Sequence, residues 1–257
     1  MPYATVNDTT LHYEDLGSGR PLVLLHGWGT SGRVWDAQVA GLSADHRVIT
    51  LDWRGCGRSD RPAGGYTIAQ LASDVLEFID VLDLDRPVLV GSSIAGAFVI
   101  EAALRAPGRI GAVVPVGSGV QHFSTRPGAK RAAAGLLADL RADRAGTLAG
   151  FVPHWYAPGT SRALIDWTVR QVLDATPRID ALATDQAAYD PRDRLPALRV
   201  PVHFLHGALD TEVPLSVPRG LLDLIPGARL TVIEGAGHMA QQERPERFNQ
   251  ALRAALN

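Results

Sequence analysis

Three residues far apart in the chain, Ser93, Asp210 and His238, have the side chains needed for nucleophilic chemistry. A serine hydroxyl is a weak nucleophile at neutral pH. It needs a base to take its proton, and the base needs a carboxylate to fix its tautomer and stabilise the imidazolium. Ser93 lies in Val88-Leu89-Val90-Gly91-Ser92-Ser93-Ile94-Ala95-Gly96, where an apolar run of strand type turns through serine and restarts as a helical run. A strand–serine–helix turn with small residues two positions to either side has the form of a nucleophile elbow. The flanks must be small because the backbones around the strained turn approach closely. Around Ser93 they are Gly91 and Ala95; around Ser92 they are the β-branched Val90 and Ile94, which favours Ser93. Ala95 departs from G-x-S-x-G by one methyl group. Taken alone, the segment also reads as a tight turn whose serine caps the helix.

In an elbow of this kind the partners follow in the order serine, acid, histidine. Among eight histidines, His238 sits in Gly235-Ala236-Gly237-His238, directly after the last strand-like run. His203 and His206, in and at the end of an apolar strand, read as structural. The acid is expected after the preceding strand, where Phe204-Leu205-His206-Gly207-Ala208-Leu209-Asp210 supplies Asp210; Glu212 nearby reads as solvated. An oxyanion formed during acyl transfer needs preorganised donors, each worth about 3 kcal/mol. The backbone N–H groups of Ile94, after the elbow serine, and Trp28, in Leu25-His26-Gly27-Trp28, are the expected pair. The His26 side chain reads as a brace for that loop.

The elements that must position these residues are legible in the apolar spacing. Val6 to Leu11 reads as a turn between two short strands. Pro21–Leu25, Val48–Leu51, Val88–Val90, Ala112–Val116, Val202–Leu205 and Leu230–Ile233 read as further strands, making eight. Helical spacing runs over Val34–Leu42 and Ile68–Leu82. Strand and helix alternation predicts an α/β fold with a mostly parallel, doubly wound sheet whose strand ends gather the catalytic loops. Residues 121–195 carry helical but no strand signal, and are expected to be a helical cap inserted in a core of residues 1–120 and 196–257. Trp28, His122, Phe123, Trp155 and Tyr156 are the expected pocket aromatics, whereas Trp167 reads as packing.

Bulk properties narrow the function classes. The chain has 257 residues, 46% hydrophobic and 20% charged, with a net charge of −2. That balance suits a soluble globular protein and carries no electrostatic footprint for nucleic acid. There is no apolar run of the ~18 residues a membrane span needs, and no basic, apolar leader at the start, so a cytoplasmic protein is expected. One cysteine, Cys56, excludes an intrachain disulfide framework or a multi-cysteine metal site. Oligomeric state is not legible.

Taken together, His26-Gly27-Trp28, Asp52-Trp53-Arg54-Gly55-Cys56-Gly57-Arg58-Ser59, Gly91-Ser92-Ser93-Ile94-Ala95-Gly96, His206-Gly207-Ala208-Leu209-Asp210 and Gly235-Ala236-Gly237-His238 resemble the α/β-hydrolase superfamily over nearly the whole chain. They are most similar to the bacterial cofactor-free haloperoxidase, arylesterase and enol-lactone hydrolase group. The resemblance implies a serine hydrolase acting on a small carboxylic ester or lactone, with no cofactor and no metal. It also implies a structural role for Asp52 and Arg54 and an inert thiol at Cys56. Ser93 argues against the dehalogenases and epoxide hydrolases of the superfamily, which attack with aspartate. A perhydrolase or a carbon–carbon bond hydrolase using the same triad stays open, as does a slow ligand receptor of this fold. An ordinary histidine pKa near 6.5 predicts that activity falls below about pH 6.

Overall fold

A computed structural model describes residues 2–256. Eight strands form one sheet: β1 (Tyr3–Val6), β2 (Thr9–Leu16), β3 (Pro21–Leu25), β4 (Arg47–Leu51), β5 (Val88–Ser92), β6 (Ala112–Val116), β7 (His203–Gly207) and β8 (Arg229–Ile233). Their spatial order is β1-β2-β4-β3-β5-β6-β7-β8. The β1–β2 hairpin turns at Asn7 with φ 48°, and β2 runs antiparallel to β4; from β4 to β8 every pairing is parallel. Parallel neighbours need crossover connections, and helices supply them.

Alternation along the strands builds two cores. Val23, Leu25, Ile49, Leu51, Leu89, Val113 and Phe204 face one side, packed with α2 (Ile68–Val81) and α3 (Ala95–Arg105). Leu22, Leu24, Val48, Val88, Val90, Val114 and Leu205 face the other side. There they meet α1 (Asp36–Leu42) and, through Phe248 and Leu252, the C-terminal helix Pro245–Leu256. Near-continuous apolar strands are what burial on both faces requires. In α2 the buried positions Ile68, Leu71, Ala72, Val75, Phe78 and Ile79 form one helical stripe, and the Thr67 hydroxyl caps its start by accepting the Gln70 N–H at 3.1 Å.

Between β6 and β7 the regular elements among the described residues are all helical: α4 (His122–Thr125), α5 (Ala129–Ala142), α6 (Arg144–Phe151), α7 (Arg162–Asp174), α8 (Ala181–Gln186) and short 3₁₀ turns. After β7 comes α9 (Ser216–Leu222). After β8 come α10 (Ala240–Glu243) and α11, the C-terminal helix. Among the described residues no helix is long and apolar enough to cross a membrane.

The Asp52–Ser59 loop is held by buried charge. Asp52 accepts the Gly32 N–H at 2.6 Å and the Arg58 N–H at 3.0 Å, and meets His12 Nδ1 at 3.2 Å. Arg54, 1% exposed, makes a two-pronged contact with Asp74 at 2.6 and 2.8 Å. Gly57 packs against the Asp52 carboxylate where a Cβ would overlap it. Cys56 is fully buried, and burial pushes its thiol pKa well up, which makes it inert.

Candidate active site

The loops after β3, β5, β7 and β8 come together at the carboxyl end of the sheet. Ser93 follows β5 directly and adopts φ 54°, a left-handed conformation costing about 1–3 kcal/mol for a residue with a side chain. Its N–H donates to the Val116 carbonyl at 2.8 Å. The turn is as crowded as the sequence predicts. A Cβ on Gly91 would stand 2.5 Å from the Ala95 carbonyl oxygen, and one on Gly96 would overlap the Ser118 side chain. Ala95 itself is accommodated, fully buried at the first position of α3. The two serines differ in surroundings. Ser92 is fully buried with no hydrogen-bond partner for its hydroxyl among the described residues, whereas Ser93 opens onto a cavity.

Asp210 is fixed on both oxygens. Oδ1 accepts the Glu212 and Val213 N–H groups, each at 2.9 Å, and Oδ2 accepts from His238 Nδ1 at 2.8 Å. Burial raises a carboxyl pKa, but the His238 charge and hydrogen bond, with the Val213 amide, outweigh it and hold Asp210 below its ordinary value. For His238 burial favours the neutral ring. The Asp210 charge and hydrogen bond, helped by Glu212 and Glu243, overcome that and lift the pKa above 6.5. The acidic limb expected below about pH 6 from an ordinary histidine therefore moves upward. His206 lies behind the pair, its Nε2 donating to the Val213 carbonyl at 2.8 Å, and burial lowers its pKa.

The His238 backbone is tied to the helical segment. Its N–H donates to the Trp155 carbonyl at 2.8 Å. Glu243, 8% exposed, accepts the Gly237 N–H at 2.7 Å on one oxygen, and the Ala157 N–H at 2.6 Å and the Thr160 hydroxyl at 2.9 Å on the other. Nothing local in Met239-Ala240-Gln241-Gln242-Glu243 marks that role, because two of its three donors come from a segment more than eighty residues away.

The cavity beside Ser93 and His238 has a volume of about 310 Å³. Trp28 and Ile94 line it, and neither backbone N–H has an acceptor among the described residues. His26 stays out of it. Its ring stacks on Trp53 at 5.0 Å, Nδ1 donates to the Gly27 carbonyl at 2.8 Å, and burial lowers its pKa to about 4. Of the expected pocket aromatics, Trp28, Phe123 and Trp155 are on the wall, but His122 and Tyr156 are not. The Tyr156 hydroxyl is taken up by Thr168 at 2.6 Å and Gln242 at 2.8 Å, which turns the ring into packing. His122 packs against Gly119 and edge-on to Phe123. Trp167 lies away from the cavity, under the Arg33 guanidinium at 5.7 Å.

The wall also has residues the sequence did not single out. Ala129, Ala132, Ala133 and Leu136 form one stripe of α5, a spacing of three and four that could have marked a buried face. Glu212, expected to be solvated, faces the cavity as well. Burial pushes its carboxyl pKa up, against the opposing charges of His238 and Arg126. No group of three or more histidine, cysteine or acidic side chains is disposed to hold a metal ion among the described residues.

The sequence pattern of the alpha/beta hydrolase fold family matches residues 20–245. The chain belongs to that family. Among solved structures this hydrolase-family chain is similar to an esterase from Exiguobacterium antarcticum, with TM-score 0.94, 29% identity and 99% of each chain covered. It is similar to a bromoperoxidase from Bacillus anthracis, with TM-score 0.89, 28% identity and 99% of each chain covered. It is also similar to an enol-lactonase from Burkholderia xenovorans LB400, with TM-score 0.85, 28% identity and 99% of each chain covered. The group suggested by the sequence motifs is thus the one the alpha/beta hydrolase chain falls among.

Proposed function

We propose that this α/β hydrolase cleaves a small carboxylic ester or lactone through an acyl-enzyme formed on Ser93. The observation that carries the reading is the 2.8 Å hydrogen bond from His238 Nδ1 to Asp210, beside a cavity that Ser93 and His238 share. With Nδ1 engaged, Nε2 is the free base. Ser93 Oγ attacks the carbonyl carbon while Nε2 takes its proton, and Asp210 stabilises the imidazolium. The resulting oxyanion is received by the Trp28 and Ile94 N–H groups. Collapse breaks the ester C–O bond, and the alcohol leaves with the proton from His238. Water, deprotonated by the same nitrogen, then attacks the acyl carbon and releases the acid and Ser93.

The helices from 121 to 195 act in this reading as a cap inserted in the hydrolase core. They supply Phe123, Leu136, Phe151 and Trp155 to the substrate cavity, which suits an apolar acyl or aryl group. Similarity to a bromoperoxidase supports a side reaction in which hydrogen peroxide replaces water at the acyl carbon and a peracid leaves. The test is hydrolysis of a panel of aryl esters and lactones by wild type and Ser93→Ala. Sustained turnover that vanishes in the variant supports the reading. A single burst followed by lasting modification of Ser93 or His238 speaks for a receptor instead.

A further inference from the structure

Among the described residues, Glu212 is the one acidic side chain on the wall of the cavity that holds Ser93 and His238. Its backbone is fixed by the triad acid, since the Glu212 N–H donates to Asp210 Oδ1 at 2.9 Å. Its carboxylate has no hydrogen bond or ion pair among the described residues, unlike that of Glu243, which receives three donors. Around it the wall is mainly apolar, with Trp28, Phe123, Leu136 and Trp155. Leaving a half-buried carboxylate without a donor is costly, and such a group in a substrate cavity calls for a donor brought by the ligand. A cation is a poor fit, because the Arg126 guanidinium on the same wall cancels the local negative charge. Neutral donors remain.

We propose that Glu212 is the specificity-determining anchor of the site, selecting esters or lactones whose acyl part carries a hydroxyl or amide N–H. This rests on the serine-hydrolase reading above. A substrate without such a donor, whether apolar or itself a carboxylate, leaves the Glu212 carboxylate unpaired. A site built around a substrate hydrogen bond discriminates strongly against the analogue that lacks it.

Three matched p-nitrophenyl esters test the proposal: the butyrate, the 3-hydroxybutyrate and the hemisuccinate. Wild type should prefer the hydroxy ester, by kcat/KM, roughly 10- to 100-fold over the butyrate, the range for one hydrogen bond to a charged group. Glu212→Leu should erase that preference. Glu212→Gln, which keeps an acceptor oxygen and the size of the side chain, should retain part of it while relaxing discrimination against the hemisuccinate about tenfold. Should the leucine variant not fold, the glutamine variant carries the comparison by itself. The proposal is overturned if neither ratio moves by more than about twofold in the variants. It is also overturned if wild type prefers the hemisuccinate, which would make Arg126 the reader of the substrate. If wild type turns over none of the three and a fluorophosphonate does not label Ser93, the hydrolase reading itself has failed.

Discussion

The Glu243 carboxylate accepts the Gly237 N–H at 2.7 Å, one residue before His238, and its other oxygen binds Ala157 in the helical segment. The loop bearing the proposed base is therefore fastened to the segment that covers it. Glu243→Gln cannot satisfy all three donors, because its amide nitrogen faces an N–H. Leaving a buried donor unpaired costs about 1–3 kcal/mol, which should appear as a lower midpoint in urea unfolding. A loosened His238 should lower kcat about tenfold with little change in KM, in steady-state kinetics on an aryl ester.

The pH profile should carry the mark of Asp210. As the proposed base His238 must be neutral, and its pKa is raised above 6.5 because Asp210, at 2.8 Å, overrides the effect of burial. As pH falls through that raised value the ring takes a proton and kcat/KM declines, so the acidic limb should lie above 6.5. Asp210→Asn removes the charge and the tautomer lock and should reduce kcat roughly 10⁴-fold. A limb at or below pH 6 in the wild type would contradict the assignment of the pair.

The elbow tolerates a methyl group at one flank and not at the other. Gly91→Ala would place Cβ 2.5–2.8 Å from backbone atoms of Ala95 and Gly96, which cannot retreat without opening the turn. We expect a loss of at least about 3 kcal/mol, the upper end for overpacking, or no folded protein. Ala95→Gly, at the helix start, should cost no more than about 1 kcal/mol. Denaturant unfolding of both variants checks the asymmetry.

Much of this arrangement was legible because it depends on local rules. Short β-branched apolar runs such as Val88–Val90 and Ala112–Val116, bounded by proline or glycine, read as strands buried on both faces, and small flanks around Ser93 follow from crowding at one turn. What was hidden depends on contacts between distant segments. Tyr156 has the size and chemistry of a pocket residue, yet Thr168 and Gln242 claim its hydroxyl and hold it in the packing. Glu212 stands in the loop Asp210-Thr211-Glu212-Val213-Pro214 and reads as solvated. Only the turn that brings two amides onto Asp210 swings it to the cavity. Glu243 was invisible because Ala157 and Thr160, two of its three donors, lie across the fold.

Stability should depend strongly on a charge pair that takes no part in the proposed chemistry. Arg54 and Asp74 are 1% and 2% exposed in their side chains. Asp74→Ala leaves a buried guanidinium with only the exposed Asp8 as an anionic partner at 3.0 Å, and should cost about 3–5 kcal/mol. Activity per folded molecule should be kept. Thermal unfolding and an assay below the transition separate the two effects.

Whether Ser93 carries the acyl group is read directly by mass spectrometry of the protein mixed rapidly with an excess of p-nitrophenyl ester. A transient adduct of acyl mass is expected on the peptide containing Ser93, with neither adduct nor ester turnover in Ser93→Ala. Ester hydrolysis by Ser93→Ala at the wild-type rate, or an adduct on any other side chain, would contradict an acyl-enzyme on Ser93.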